Sequence, residues 1–469
     1  MVRIFCVAAI VLSTASPARA QPQTIRLTVA AAAAPVPALE YQLLPDIRDS
    51  HPGNAALLYQ RAHSPDWFSS FRRHADYLKV ADWVELPSDK LPWDRVKSLL
   101  PQNVLKEVDL AARREYCDWE LTDRIRQDGF EVLIPDFQGF REYAMLLALR
   151  ARLEVHEGRL DKAIYTCQTG LALSRHTAQA PTLVTGLVGM AIANTMLGQV
   201  EGLIEQGGSP NLYWALTDLP RPFFHLRRCF QGERIAVDAA LLPRIGAALR
   251  DPTAAPLTTT ELQAINRKLL EFAPEKNEFA TLGLAVLAAK VYPQAKQFLL
   301  KRGFTAVQVD ALPVVQVAYM YALAQYYRHF DNMVKWVQLP YWQARPGLLQ
   351  AERELKSSKA RFLETGGIPL AELLLPAAQR VVLTRARLDR RIAALRCVEA
   401  LRLYAAAHEG RLPAELSDVQ DVPVPIDPIT GKSFQYRLEG SAAVLFAPPS
   451  EGEPAAQGNS LRYEITLRQ

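Results

Sequence analysis

Cysteine is scarce in this chain, five in 469 residues, and the scarcity excludes more than it supplies. Cys6 sits in the first apolar run. Cys117, Cys167, Cys229 and Cys397 fall at no zinc-ligand or C-x-x-C spacing. A chain this long buries enough apolar surface to need no covalent staples, so four buried free thiols are expected, although an oxidising compartment would allow pairing. Charge of one sign is also in short supply. The net charge is +5, charged residues are 22% of the chain, and no basic run is interleaved with aromatics, which argues against a nucleic-acid partner. After the first residues no run reaches the roughly 18 consecutive apolar residues of a membrane span, so no transmembrane segment is expected in the mature chain. Motifs whose spacing enforces chemistry are missing too: no G-x-S-x-G, no phosphate loop, no H-E-x-x-H, and no G-x-G-x-x-G after a strand. No cofactor is implied, and the reading leans away from an enzyme.

What is present begins with an export signal. Arg3 supplies a charged start, Ile4 to Leu12 an apolar run, and Ala18-Arg19-Ala20 a small-residue cleavage site. Residues 1–20 therefore read as a signal peptide, with Gln21 as the mature N-terminus and a secreted or periplasmic product. Residues 21–37 are an Ala- and Pro-rich leader that need not pack. At 49% apolar residues, the rest is globular.

Helical periodicity dominates residues 38–377. Gln138 to Gln206 reads as a helical hairpin followed by a long apolar helix: Tyr143, Leu146, Leu149 and Leu153 share one face, Gly158 stops it, and Leu160, Ala163, Ile164, Cys167 and Leu171 begin another. Leu183 to Leu203 is more apolar still, and Gly186, Gly189 and Ala193 are small enough to admit a neighbouring helix. Other helices are expected at Val104–Ile125, Ile235–Arg250, Thr259–Glu271, Glu278–Arg302 and Val307–Lys335, with Pro293 and Pro313 kinking or shortening the last two. From Ala378 to Glu409 one long helix is expected, its arginines 385, 387, 390 and 391 facing solvent or docking on the helical part. Phe434–Leu438, Ala442–Phe446 and Leu461–Leu467 alternate as strands. The fold expected is mostly α, an irregular, α-solenoid-like helical stack over 38–377 followed by a small α/β domain on a long helix over 378–469.

Three resemblances accompany this reading. Pro52-Gly53-Asn54-Ala55-Ala56, Cys117-Asp118-Trp119-Glu120-Leu121 and Asn211-Leu212-Tyr213-Trp214-Ala215-Leu216 resemble segments of a family of secreted proteins of planctomycete bacteria. That resemblance implies export and helical content and supplies no catalytic residues. Ala400 to Tyr404, Gly410-Arg411-Leu412-Pro413, Asp427-Pro428 and Gly431 to Tyr436 are similar to the globular end of type II secretion pseudopilins, where a helix packs on a small sheet. Upstream, Gly367 to Glu372 resembles a prepilin processing site, although it is internal. Arg141 to Arg175 resembles one tetratricopeptide unit, with Ala151, Gly158, Ala163 and Gly170 at its small positions; no neighbour repeats at about 34 residues.

Tyr213, Trp214, Arg221, Phe223, Phe224, Arg227 and Arg228 form the densest aromatic–basic cluster, a pattern suited to a peptide or glycan surface or to a packed connection. Asp418, Asp421 and Asp427 surround a proline-rich turn and supply oxygens for a weak calcium candidate. Glu120 and Asp123 lie on one helix face, where Arg124 and Arg126 offer ion pairs. The repeated His156-Glu157-Gly158 and His408-Glu409-Gly410 suit helix termination better than metal binding. The leading expectation is a binding or structural role towards a protein or an envelope ligand. The alternatives are an exported hydrolase with an unrecognised site and an accessory component of a pseudopilin-type assembly.

Overall fold

Leu183–Ile204, the most apolar segment, forms a 22-residue helix in the interior of the protein. The Thr182 side chain accepts the Thr185 N–H, and the Glu233 carboxylate takes the Leu183 N–H, filling first-turn donors that helix geometry leaves unpaired. The computed structural model describes residues 2–3, 23–64, 69, 71–129, 132–134, 137–240, 243–271, 280–365, 376–453 and 458–468. Helix accounts for 62% of it, so the fold is mostly α, with one small mixed sheet.

Four helices position everything below: α1 (Phe137–His156), α2 (Leu160–Ala178), α3 (Leu183–Ile204) and α4 (Pro376–Ala407). The first three pack on one another. Gly189 is what allows α3 to approach α2, because a Cβ there would stand 2.6 Å from the Ser174 carbonyl oxygen. By length and composition α3 could cross a membrane, yet most of it is buried inside the protein. Helix α1 stops at Gly158 and α4 just before Gly410, both with φ +74°, and the Gly410 N–H closes on the Ala405 carbonyl.

The sheet holds β1 (Gln23–Val29), β2 (Gln435–Glu439), β3 (Ala442–Ala447) and β4 (Leu461–Leu467) in the order β1-β4-β3-β2. Strand β1 runs parallel to β4, with Leu27 opposite Ile465; the other two pairings are antiparallel. This corrects the leader: residues 23–29 form an edge strand. Leu27 and Val29 are buried, while Thr24, Arg26 and Thr28 stay exposed, so the period-two pattern of a half-buried strand is present. One hydrophobic cluster runs through the helices and the sheet, from Leu146 and Leu197 to Leu395, Leu445 and Ile465.

The helix expected over Val104–Ile125 is broken. Gln102–Ala112 is helical, Arg114–Tyr116 pairs with His51–Asn54, and a new helix starts at Leu121. Arg113 turns the backbone there and its carbonyl accepts the His51 N–H, while Glu120 at φ 53° breaks the path again. Over the expected Ile235–Arg250, Arg227–Ala240 and Pro243–Arg250 are helical, and residues 241 and 242 between them lie outside the described residues. Pro313 separates Ala306–Asp310 from Val314–Val334, whereas Pro293 sits inside an uninterrupted helix. Val2–Arg3 pairs with Leu133–Ile134. The rest of the expected signal and the prepilin-like Gly367–Glu372 lie outside the described residues.

The arginines of α4 dock rather than face solvent. Arg385 donates to the Val337 carbonyl. Arg390 grips Asp427 with two bonds of 2.9 and 2.8 Å and also reaches the Pro448 and Asn459 carbonyls. Arg402 ties Ala30, Ser209 and Glu399 together from a fully buried position. A guanidinium presents five N–H donors in a fixed fork, so each one satisfies loop carbonyls that otherwise have no ladder. Helix α4 is thus a spine that holds loops from both ends of the chain.

Candidate functional site

The aromatic–basic cluster is not a surface. Tyr213, Phe223 and Phe224 are buried, and the Tyr213 hydroxyl donates to the Pro423 carbonyl. The Phe223 N–H donates to Asp389, and the Arg396 guanidinium lies 5.4 Å from the Tyr213 ring centre. Trp214 is half-buried, edge-on to Tyr213, while Arg221, Arg227 and Arg228 point outward. The packing separates the rings from the charges, so no face presents both. The calcium candidate dissolves similarly. Asp427 spends its oxygens on Arg390, the Ile429 N–H and the Thr430 hydroxyl, and Asp418 caps the Glu415 N–H. Among the described residues no group of three or more His, Cys, Asp or Glu side chains is placed to hold a metal.

The two His-Glu-Gly repeats are helix ends. His156 stacks on Trp93 at 4.3 Å, and His408 stacks on Tyr404 at 3.7 Å while donating from Nδ1 to its carbonyl. Asp123 pairs with Arg126, a local contact on an exposed face. The four thiols are free and buried. Burial pushes those of Cys167 and Cys229 up to about 12, which leaves them unreactive at neutral pH.

A site does form elsewhere, around the side of α3 that is not apolar. Asn194, Gly198, Gly202 and Gln206 recur every fourth residue, with Thr195, Gln199 and Glu205 beside them. This polar, small-residue stripe floors a cleft of about 820 Å³. One wall is the edge strand β1 at Ile25, Arg26 and Leu27; the other is the end of α1 with residues 84–89. Gly202 leaves open space above α3, since nothing lies within 4 Å of a Cβ built there.

Each wall is fixed by a charged side chain. Arg152 of α1 donates to the Trp83, Val84 and Leu86 carbonyls, clamping residues 83–88 in place. Glu201 of α3 accepts Arg391 Nε at 2.9 Å and Nη2 at 2.7 Å, and the Tyr463 hydroxyl donates to the same carboxylate. That triad holds α3, α4 and β4 together beneath the cleft. Glu205 accepts the Thr28 N–H at 3.1 Å, and Arg468 donates to the Glu205 carbonyl. Burial raises the Glu205 carboxyl above its ordinary range, opposed by the Thr28 N–H and reinforced by the charge of Glu201.

The Thr28 bond orients the strand. Its N–H points away from β4, so the alternation of strand backbone puts the N–H and C=O of Thr24 and Arg26 on the same open side. Those groups have no backbone partner among the described residues. The cleft therefore combines an unpaired strand edge with amide, hydroxyl and mixed charged side chains. Both signs are present at its rim, in Arg26, Glu85, Asp89 and Arg468. Such a lining matches a ligand that carries alternating donors and acceptors, not a polyanion.

Comparison of the chain with protein-family models, with curated proteins and with solved structures finds no match.

Proposed function

We propose that this protein binds an extended polypeptide segment in the cleft between β1 and α3. The observation that carries the reading is the open edge of β1 forming one wall of a cavity of about 820 Å³. An added strand would take main-chain hydrogen bonds from Thr24 and Arg26, as in strand addition at any exposed sheet edge. Glu205 already occupies the Thr28 N–H, so it limits how far the added strand extends and guards the edge against uncontrolled pairing. The polar stripe of α3 would face the ligand's amides and side chains, and Gly202 makes room for them.

This role fits a binding protein of the cell envelope and requires no chemistry from the site. The test is fluorescence anisotropy with a pool of labelled, unstructured decapeptides. Saturable binding is expected for the wild-type protein, with loss in Gly202→Trp, whose indole would project into the cleft from a Cβ position that has nothing within 4 Å. Equal binding by both proteins would place the peptide elsewhere and defeat the reading.

A further inference from the structure

A second cavity, of about 350 Å³, opens between α2 and residues 44–50 and 112–115, on lining residues that the cleft does not share. Its polar lining is rich in donors. Arg175 is half-buried in α2, and among the described residues it has no hydrogen-bond acceptor and no carboxylate partner. Its one specific contact is the Phe223 ring, 5.8 Å from the guanidinium carbon. Burial lowers the Arg175 pKa, and the loss of water around it goes uncompensated. Arg114 spends one N–H on the Pro52 carbonyl and forms no ion pair among the described residues.

His176 adds a donor of defined position. Its Nδ1 meets the Tyr59 hydroxyl at 3.0 Å. Tyr59 is fully buried and has no other acceptor among the described residues, so its O–H donates to Nδ1. Burial first, and then the neighbouring Arg175 charge, push the imidazole down to about 4, so the ring is neutral at pH 7. A neutral ring that accepts at Nδ1 carries its proton on Nε2, the nitrogen turned away from Tyr59. The carboxylates nearby do not neutralise this set: Asp46 is already held by Arg48, and Glu115 is exposed. Leu44, Pro45, Ala112 and Ala172 add apolar surface to the same lining.

We infer that this cavity binds a small organic oxyanion, its carboxylate or phosphate head on Arg175, Arg114 and His176 and its carbon body on the apolar wall. A guanidinium fork matches either head with two parallel bonds, and a bound anion supplies the partner that Arg175 lacks. The donors of Arg175, Arg114 and His176 favour an anion over a cation, and the cavity volume is that of a small-molecule pocket.

The test is isothermal titration of the full chain with hexanoate, hexyl phosphate and hexylammonium, repeated with inorganic phosphate. At least one hexyl anion should bind saturably, more tightly than inorganic phosphate, and hexylammonium should not bind. The stronger of hexanoate and hexyl phosphate identifies the head group. Arg175→Met should weaken binding about tenfold or more, the loss of a charge-assisted bond pair, without lowering the melting temperature, because no partner is orphaned. If Arg175→Met melts early, Arg114→Met decides instead, with weaker binding expected. Failure of both hexyl anions to bind overturns the inference. So does undiminished binding by a folded Arg175→Met or, where that variant melts early, by Arg114→Met.

Discussion

Arg391 and Glu201, 190 residues apart in sequence, meet in a two-bond ion pair of 2.9 and 2.7 Å, and Tyr463 donates to the same carboxylate. The pair fastens the arginine-rich spine α4 to the apolar helix α3 beneath the cleft. Removing one partner leaves a poorly solvated charge behind. Arg391→Met is therefore expected to lower stability by about 3–5 kcal/mol in denaturant unfolding. The double variant Arg391→Met, Glu201→Gln should recover part of that loss. Additive losses would show that the two residues act separately.

Gly202 separates stability from function. Inside a helix, glycine costs about 0.5–1 kcal/mol relative to alanine, and here a Cβ would meet nothing. Gly202→Ala is expected to raise the unfolding free energy by that amount. A drop instead would mean that the α3 backbone at this position is not the regular helix described.

Glu233 caps α3 through the Leu183 N–H, and burial raises its carboxyl to about 7. A carboxyl whose folded pKa is raised adds stability below its unfolded pKa of about 4.5, and that contribution is lost as pH rises through 7. Glu233→Gln should therefore flatten the pH dependence between 4.5 and 8. The variant should be as stable as the wild type near pH 4.5, and more stable at pH 8 by up to about 3 kcal/mol. Parallel curves for the two proteins would rule out Glu233 as the source.

Cys117, Cys167, Cys229 and Cys397 are buried free thiols. Ellman's reagent is expected to leave these four unmodified in the folded protein and to react with all four in denaturant. A fast-reacting thiol among them before unfolding would contradict their burial.

Much of this architecture was legible in the sequence because it rests on local periodicity. The α1–α2 hairpin, the buried α3, the long α4 and the strands β2 to β4 follow from apolar spacing and from Gly158 and Gly410. What was not legible is non-local. Thr24 to Val29 alternates like a strand, but its partner β4 lies more than 430 residues away, so an Ala/Pro-rich context masked it. Arg113 breaks a helical pattern because its side chain reaches Gln168 and Thr169 of α2. Arg390 and Arg402 look like solvent residues until loop carbonyls arrive around them. The cleft did leave a signal: Asn194, Gly198 and Gly202 recur every fourth residue on the most apolar helix, and Gln206 continues the spacing just past its end. Tyr213, Phe223 and Phe224 misled in the opposite direction, since aromatic density marks cores and binding surfaces alike.

Amide hydrogen exchange with and without a binding decapeptide tests most directly whether the open edge of β1 receives a peptide strand. Bound peptide should slow exchange at the Thr24 and Arg26 amides in the wild-type protein and leave both unchanged in Gly202→Trp. Saturable binding with unaltered exchange at Thr24 and Arg26 would contradict strand addition.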